Sequence, residues 1–139
     1  MDDLHIPAIS ALTAGVLIII QMLLALAVAA ARRKNRQSLG DGGNPDVLRA
    51  MRRHGNFAEN AAIFVAGFAL LELIGGSPQT VGVLCAVFVA GRLSHAYGLS
   101  RSNTVNVFRV GGIVATVGVG LALGVRLLML GFEKLPPVF

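Results

Sequence analysis

From Leu4 to Ala31 the chain carries no aspartate, glutamate, lysine or arginine. A run of that length is enough for one membrane-spanning helix, and Pro7 suits its first turn because proline needs no hydrogen-bond partner there. Three further apolar runs follow along the 139 residues. Charged residues make up 14% of the chain, whereas soluble domains average about 25%, and 55% of the residues are hydrophobic. The expected fold class is therefore all-α: an integral membrane four-helix bundle in contact with membrane lipids. A single domain covers 1–139, with helices at approximately 7–31, 45–74, 78–99 and 104–131.

Punctuation between the runs supports these bounds. The loop R-R-K-N-R-Q-S-L-G-D-G-G-N ends at Asn44, a helix cap, with Pro45 next in the first turn. Gly75-Gly76 stops the second helix and Ser77-Pro78 starts the third. The link S-R-S-N precedes the fourth helix, and the tail E-K-L-P-P-V-F follows it. Asp2 and Asp3 before the first run, and no A-x-A-like site after it, argue for a retained span rather than a cleaved signal. Cys85 is the one cysteine, so a disulfide framework and a cysteine metal site are both excluded. Gln21, near the middle of the first run, is expected to hydrogen-bond within the bundle.

The net charge of +5 is concentrated at one set of helix ends. Arg32, Arg33, Lys34, Arg36, Arg49, Arg52, Arg53 and Arg101 flank the first and third loops, while the other side holds Lys134. Positive residues stay cytoplasmic, so both termini are expected outside. No aromatic-interleaved basic surface accompanies the charge, and nucleic acid is not an expected partner.

The second helix has about 30 residues, roughly 45 Å, so its arginine-bearing start must project into headgroups or cytoplasm. At 100° per residue, Arg49, Arg52, Arg53, Asn56, Glu59 and Asn60 share an arc of about 120°, and His54 points elsewhere. An interfacial anchor accounts for the arginines but not for Glu59, which lies deeper and wants a cationic or hydrogen-bonding partner. Arg92, two turns before the end of the third helix, and Arg109, two turns into the fourth, are expected in the same layer. Excess arginine there suits a small anionic ligand, because a guanidinium fork matches a carboxylate. At the opposite face Glu72 and Arg126 are expected to form an ion pair. Gly112, Thr116, Gly120 and Gly124 place small residues at every fourth position of the last helix, for close packing within a bundle or between subunits.

The pattern R-x-x-R-R-H-x-N-x-x-E-N, Arg49 through Asn60, together with R-x-x-H in the third helix, resembles the signature of the MAPEG family, the membrane-associated proteins in eicosanoid and glutathione metabolism. The resemblance implies a homotrimer of four-helix subunits, of bacterial type in an inner membrane, that binds glutathione as co-substrate between subunits. It implies that Arg49, Arg52, Asn56 and Glu59 hold the tripeptide's backbone and charged ends, and that His54 contacts it. Arg33, with Arg32 as the alternative register, would reach in from the first helix, and Arg92 and His95 from a neighbouring subunit. Arg109 would be the catalytic residue: a nearby guanidinium lowers the thiol pKa, and the thiolate is the nucleophile. The implied activity is a glutathione S-transferase or peroxidase acting on small hydrophobic electrophiles or lipid hydroperoxides.

Three positions depart from the family pattern. Leu48 stands where many members have an acid, Leu99 where many have a tyrosine, and Val110 where the prostaglandin-forming branch has a serine. Tyr97 lies two residues after His95, on a different face. These departures argue against prostaglandin isomerisation and keep a non-catalytic glutathione- or lipid-binding scaffold as the alternative. A small proton-coupled transporter is a weaker one, since the first helix offers only Gln21 and arginines crowd Glu59.

Overall fold

The computed structural model describes residues 6–101 and 104–136. Asp2 and Asp3, Ser102 and Asn103 of the third link, and the last three residues of the tail lie outside the described residues. The described chain forms α1 (Ala8–Lys34), α2 (Pro45–Leu73), α3 (Pro78–Arg101) and α4 (Val107–Glu133), with no strand among the described residues. Each helix is long and apolar enough to cross a membrane.

The ends follow local chemistry. The Asn44 side chain accepts from the backbone N–H groups of Asp46 and Val47, with Pro45 as the first helical residue. The Ser77 hydroxyl accepts from Thr80 N–H at the start of α3. α1 runs past residue 31 to take Arg32, Arg33 and Lys34 into its last turn, where cations complement the carbonyl end of the helix dipole. α4 begins later than expected. The Asn106 side chain accepts from Arg109 N–H and so sets the start at Val107 rather than near Thr104.

α2 and α3 form the middle of the bundle, with α1 packed on one side of them and α4 on the other; α1 and α4 do not touch among the described residues. Phe57, Phe68 and Phe88 are fully buried. The Phe64 ring stacks on Phe88 at 4.1 Å between centroids, and Phe68 meets Phe88 edge-on at 5.7 Å. Aromatic pairs of this kind fix the α2–α3 contact beyond simple area burial.

The α3–α4 contact is closer, and small residues allow it. A Cβ added at Gly112 would lie 2.5 Å from the Gly91 carbonyl oxygen and 2.6 Å from the His95 nitrogen. Gly112 and Thr116 of the four-residue repeat thus face α3 in the same subunit. Gly120 lies against the Phe64 ring of α2. The repeat is used mainly within the bundle.

The expected Glu72–Arg126 ion pair does not form. Glu72 instead accepts from Ile9 N–H (3.1 Å), Ser10 N–H (2.9 Å) and the Ser10 hydroxyl (2.7 Å), and Arg126 is exposed. The reason is geometric. The end of α2 lies beside the start of α1, whose first N–H groups have no cap of their own at Pro7. A carboxylate is a better partner for those oriented N–H groups than for a side chain pointing outward from α4. Gln21 does bond within the bundle, its amide nitrogen lying 2.7 Å from His54 Nε2.

Candidate functional site

At the end of the bundle where α2 and α4 start and α3 ends, the three helices border a half-open cavity of about 440 Å³. α2 supplies Arg49, Arg52 and Asn56, one turn apart on one face, and also Pro45 and Leu48. α4 supplies Arg109 and α3 supplies Leu99. The helical period alone puts the α2 residues together. What brings Arg109 to them is Gly98: a Cβ there would sit 2.6 Å from the Arg109 nitrogen and 2.8 Å from Asn106 Oδ1. Asn106 completes the junction by donating its side-chain N–H to the Gly98 carbonyl while its oxygen caps Arg109.

The charge of this cavity is nearly all of one sign. Arg49 Nη2 lies 3.7 Å from Asp46 Oδ1, a largely exposed carboxylate, and this is the salt bridge found among the described residues. The buried Arg49 Nε has no hydrogen-bond partner among the described residues. The Asn56 amide donates to the Arg52 carbonyl, leaving its oxygen toward other donors. Arg109 lies in the first turn of α4, whose positive dipole end adds to the guanidinium charge. Such an arrangement can hold a carboxylate by paired N–H donors and can stabilise a developing anion beside Arg109.

The structure therefore divides the expected arginine layer into two levels. Arg109 is level with Gly98 and Leu99, in the first turn of α4 rather than two turns into it. Arg92 lies about two turns deeper along α3, opposite Thr116, to which it donates at 3.4 Å; seven residues of helix separate the levels by roughly 10 Å. Both helix ends moved: the Asn106 cap in the third link starts α4 at Val107, and α3 runs on to Arg101. The spacing of three residues from Asn106 to Arg109 is the sequence signal that would have revealed the cap.

The remaining expected site residues fall outside the cavity lining. Arg92 and His95 are buried in the α3–α4 contact. Glu59 is exposed on α2, one turn deeper than Asn56, with no hydrogen bond or ion pair among the described residues. His54 faces α1 through Gln21. Arg33 is exposed at the end of α1, and its neighbour Arg32 packs against α2, Nη2 lying 3.6 Å from Met51 Sδ. Tyr97 stands edge-on to Phe108 and accepts from Arg101 Nε at 2.8 Å, away from the cavity. Leu48 and Leu99, noted in the sequence only as departures, are part of the wall.

The MAPEG family model matches residues 10–129. The inner membrane protein YecN of Escherichia coli (strain K12) is 33% identical over 90 residues, which cover 65% of this chain and 69% of that protein. YecN of a second Escherichia coli strain matches over the same share with the same identity.

Proposed function

The chain belongs to the MAPEG family, and from that premise we propose that it is a glutathione-binding protein of a bacterial inner membrane. The family includes glutathione transferases and peroxidases, and the relative YecN is named as an inner membrane protein. The observation that carries the reading is the convergence of Arg49, Arg52 and Arg109 on one cavity with Asp46 as their only salt-bridging carboxylate among the described residues. Glutathione offers two carboxylates to such a wall. Arg52 and Asn56 hold its charged ends and backbone, and Arg109 stabilises the thiolate. With a hydrophobic electrophile the thiolate forms a thioether, as the leaving group departs or the adduct takes up a proton. With a lipid hydroperoxide it breaks the O–O bond, releasing the alcohol and a glutathione sulfenic acid that a second glutathione converts to disulfide and water. No protein nucleophile is needed. In this reading the protein assembles as a homotrimer in which a neighbouring subunit brings Arg33 to the cavity, since Arg33 does not reach it within one subunit. The basic helix ends face the cytoplasm and both termini lie outside.

Thiolate absorbance on adding glutathione to the detergent-solubilised protein tests binding and activation together. A saturable rise is expected, and its absence would remove the reading. A second reading, a binder without turnover, is favoured by one feature. Leu48 and Leu99 line the cavity where many members place an acid and a tyrosine. A saturable thiolate signal with no conversion of a panel of electrophiles and lipid hydroperoxides would select it.

A further inference from the structure

Arg92 is the most deeply buried cation of the described chain, 3% exposed. A charge at that position is costly in a membrane bundle; its two terminal nitrogens have specific partners, while the buried Nε has none among the described residues. One terminal nitrogen donates to the backbone carbonyl of Asn56 on α2. The other reaches the Thr116 hydroxyl on α4 at 3.4 Å, and that hydroxyl donates in turn to the Gly112 carbonyl at 2.8 Å. The guanidinium carbon lies 5.9 Å from the centre of the Phe57 ring, which closes the site on its α2 side. Glu59, one turn beyond Asn56 on α2, is exposed and forms no ion pair with it among the described residues. Thr116 reaches this bond only because Gly91 and Gly112 let α3 and α4 approach so closely.

We infer that Arg92 is a positioning residue: it ties α2 at Asn56 and α4 at Thr116 to α3, and so sets the distance across the cavity between the Arg52–Asn56 face and Arg109. It contributes no atom to the cavity wall. Asn56 belongs to the wall by its side chain and to the Arg92 tie by its carbonyl. A slack tie therefore shifts the ligand-holding face relative to the cation on α4. The geometry of the tie stands on its own, and its consequence for affinity rests on the glutathione reading above.

The test uses the full chain in detergent and the variants R92K, R92M, T116V, T116S and R92M/T116V. A lysine keeps the charge but presents it from a single nitrogen, without the two separate terminal nitrogens of the guanidinium fork that reach Asn56 and Thr116. R92K, R92M and T116V are each expected to weaken glutathione affinity by about tenfold, as small misplacements of binding groups do, with the thiolate absorbance at saturation kept at the wild-type amplitude. R92M/T116V is expected to be no weaker than R92M, and T116S to retain wild-type affinity. Wild-type affinity in R92K or T116V would overturn the assignment, and a lost amplitude at saturation in R92M would overturn it in favour of Arg92 as a direct ligand group. Should the wild-type protein give no thiolate signal, the glutathione reading fails, and thermal unfolding still decides the tie. Non-additive losses in the Arg92–Thr116 double-mutant cycle support it, and strictly additive ones overturn it.

Discussion

The two ends of the bundle treat charge in opposite ways. At one end the carboxylate of Glu72 is met by three donors at the start of α1, at 2.7 to 3.1 Å. At the other, Arg49, Arg52 and Arg109 are gathered around a cavity of about 440 Å³ and answered by one exposed aspartate at 3.7 Å. Both ends carry polar groups into helices that are otherwise apolar, so both look alike as departures from a membrane pattern. What separates them is satisfaction. A charge whose partners are all supplied by the same subunit holds the fold together. Like charges that the fold brings together and does not neutralise are suited to an anion from outside.

The largest expected effect breaks the cationic end alone. Arg109→Ala should lower transferase or peroxidase turnover by about a hundredfold, the usual loss when one donor to a developing anion is removed. Its thermal unfolding midpoint should stay near that of the wild type, because within the described residues only the Arg109 backbone N–H is engaged. Glu72→Ala should do the reverse. Loss of about 2 kcal/mol of stability is expected from leaving the α1 donors without their charged acceptor, read from chemical unfolding in detergent, with glutathione affinity unchanged. An affinity loss in that variant would mean the two ends are coupled. Arg52→Ala comes next. It should weaken glutathione binding by about tenfold through loss of a charge-assisted pair and also make the affinity less sensitive to added salt, both measurable by titration calorimetry. The smallest effect belongs to Gln21→Leu, which should cost ~0.6 kcal/mol, typical of a side-chain hydrogen bond inside a membrane bundle, with the thiolate signal intact. A lost signal there would place His54 in the binding machinery.

Some of the site was legible because it is written within one helix. Arg49, Arg52 and Asn56 recur at helical spacing, and a single α-helix must put them on one face. The rest depends on pairs of helices. Arg92 and Arg109 looked level when each was counted from an expected helix end, and Asn106 moved one of those ends. Leu99 became part of the wall through the rotation of α3 about its axis, which its own spacing does not encode. Arg33 and His54 carry the family pattern, yet within one subunit the first is exposed and the second is bonded to α1.

The sequence by itself determined the elements: four apolar runs long enough to span a bilayer, the cap at Asn44, the stop before Gly75 and the arginine face of α2. These are consequences of local backbone chemistry and of period, and they need no knowledge of neighbours. Only the tertiary structure decided which polar group meets which. Glu72 closes the open N–H groups of α1 instead of Arg126, Arg92 ties Asn56 to Thr116, and Gly98 lets Arg109 reach the cavity. Each of these pairings is set by the offset and rotation of one helix against another. Those follow from how glycines and phenylalanines pack between helices, not from the pattern along any one of them.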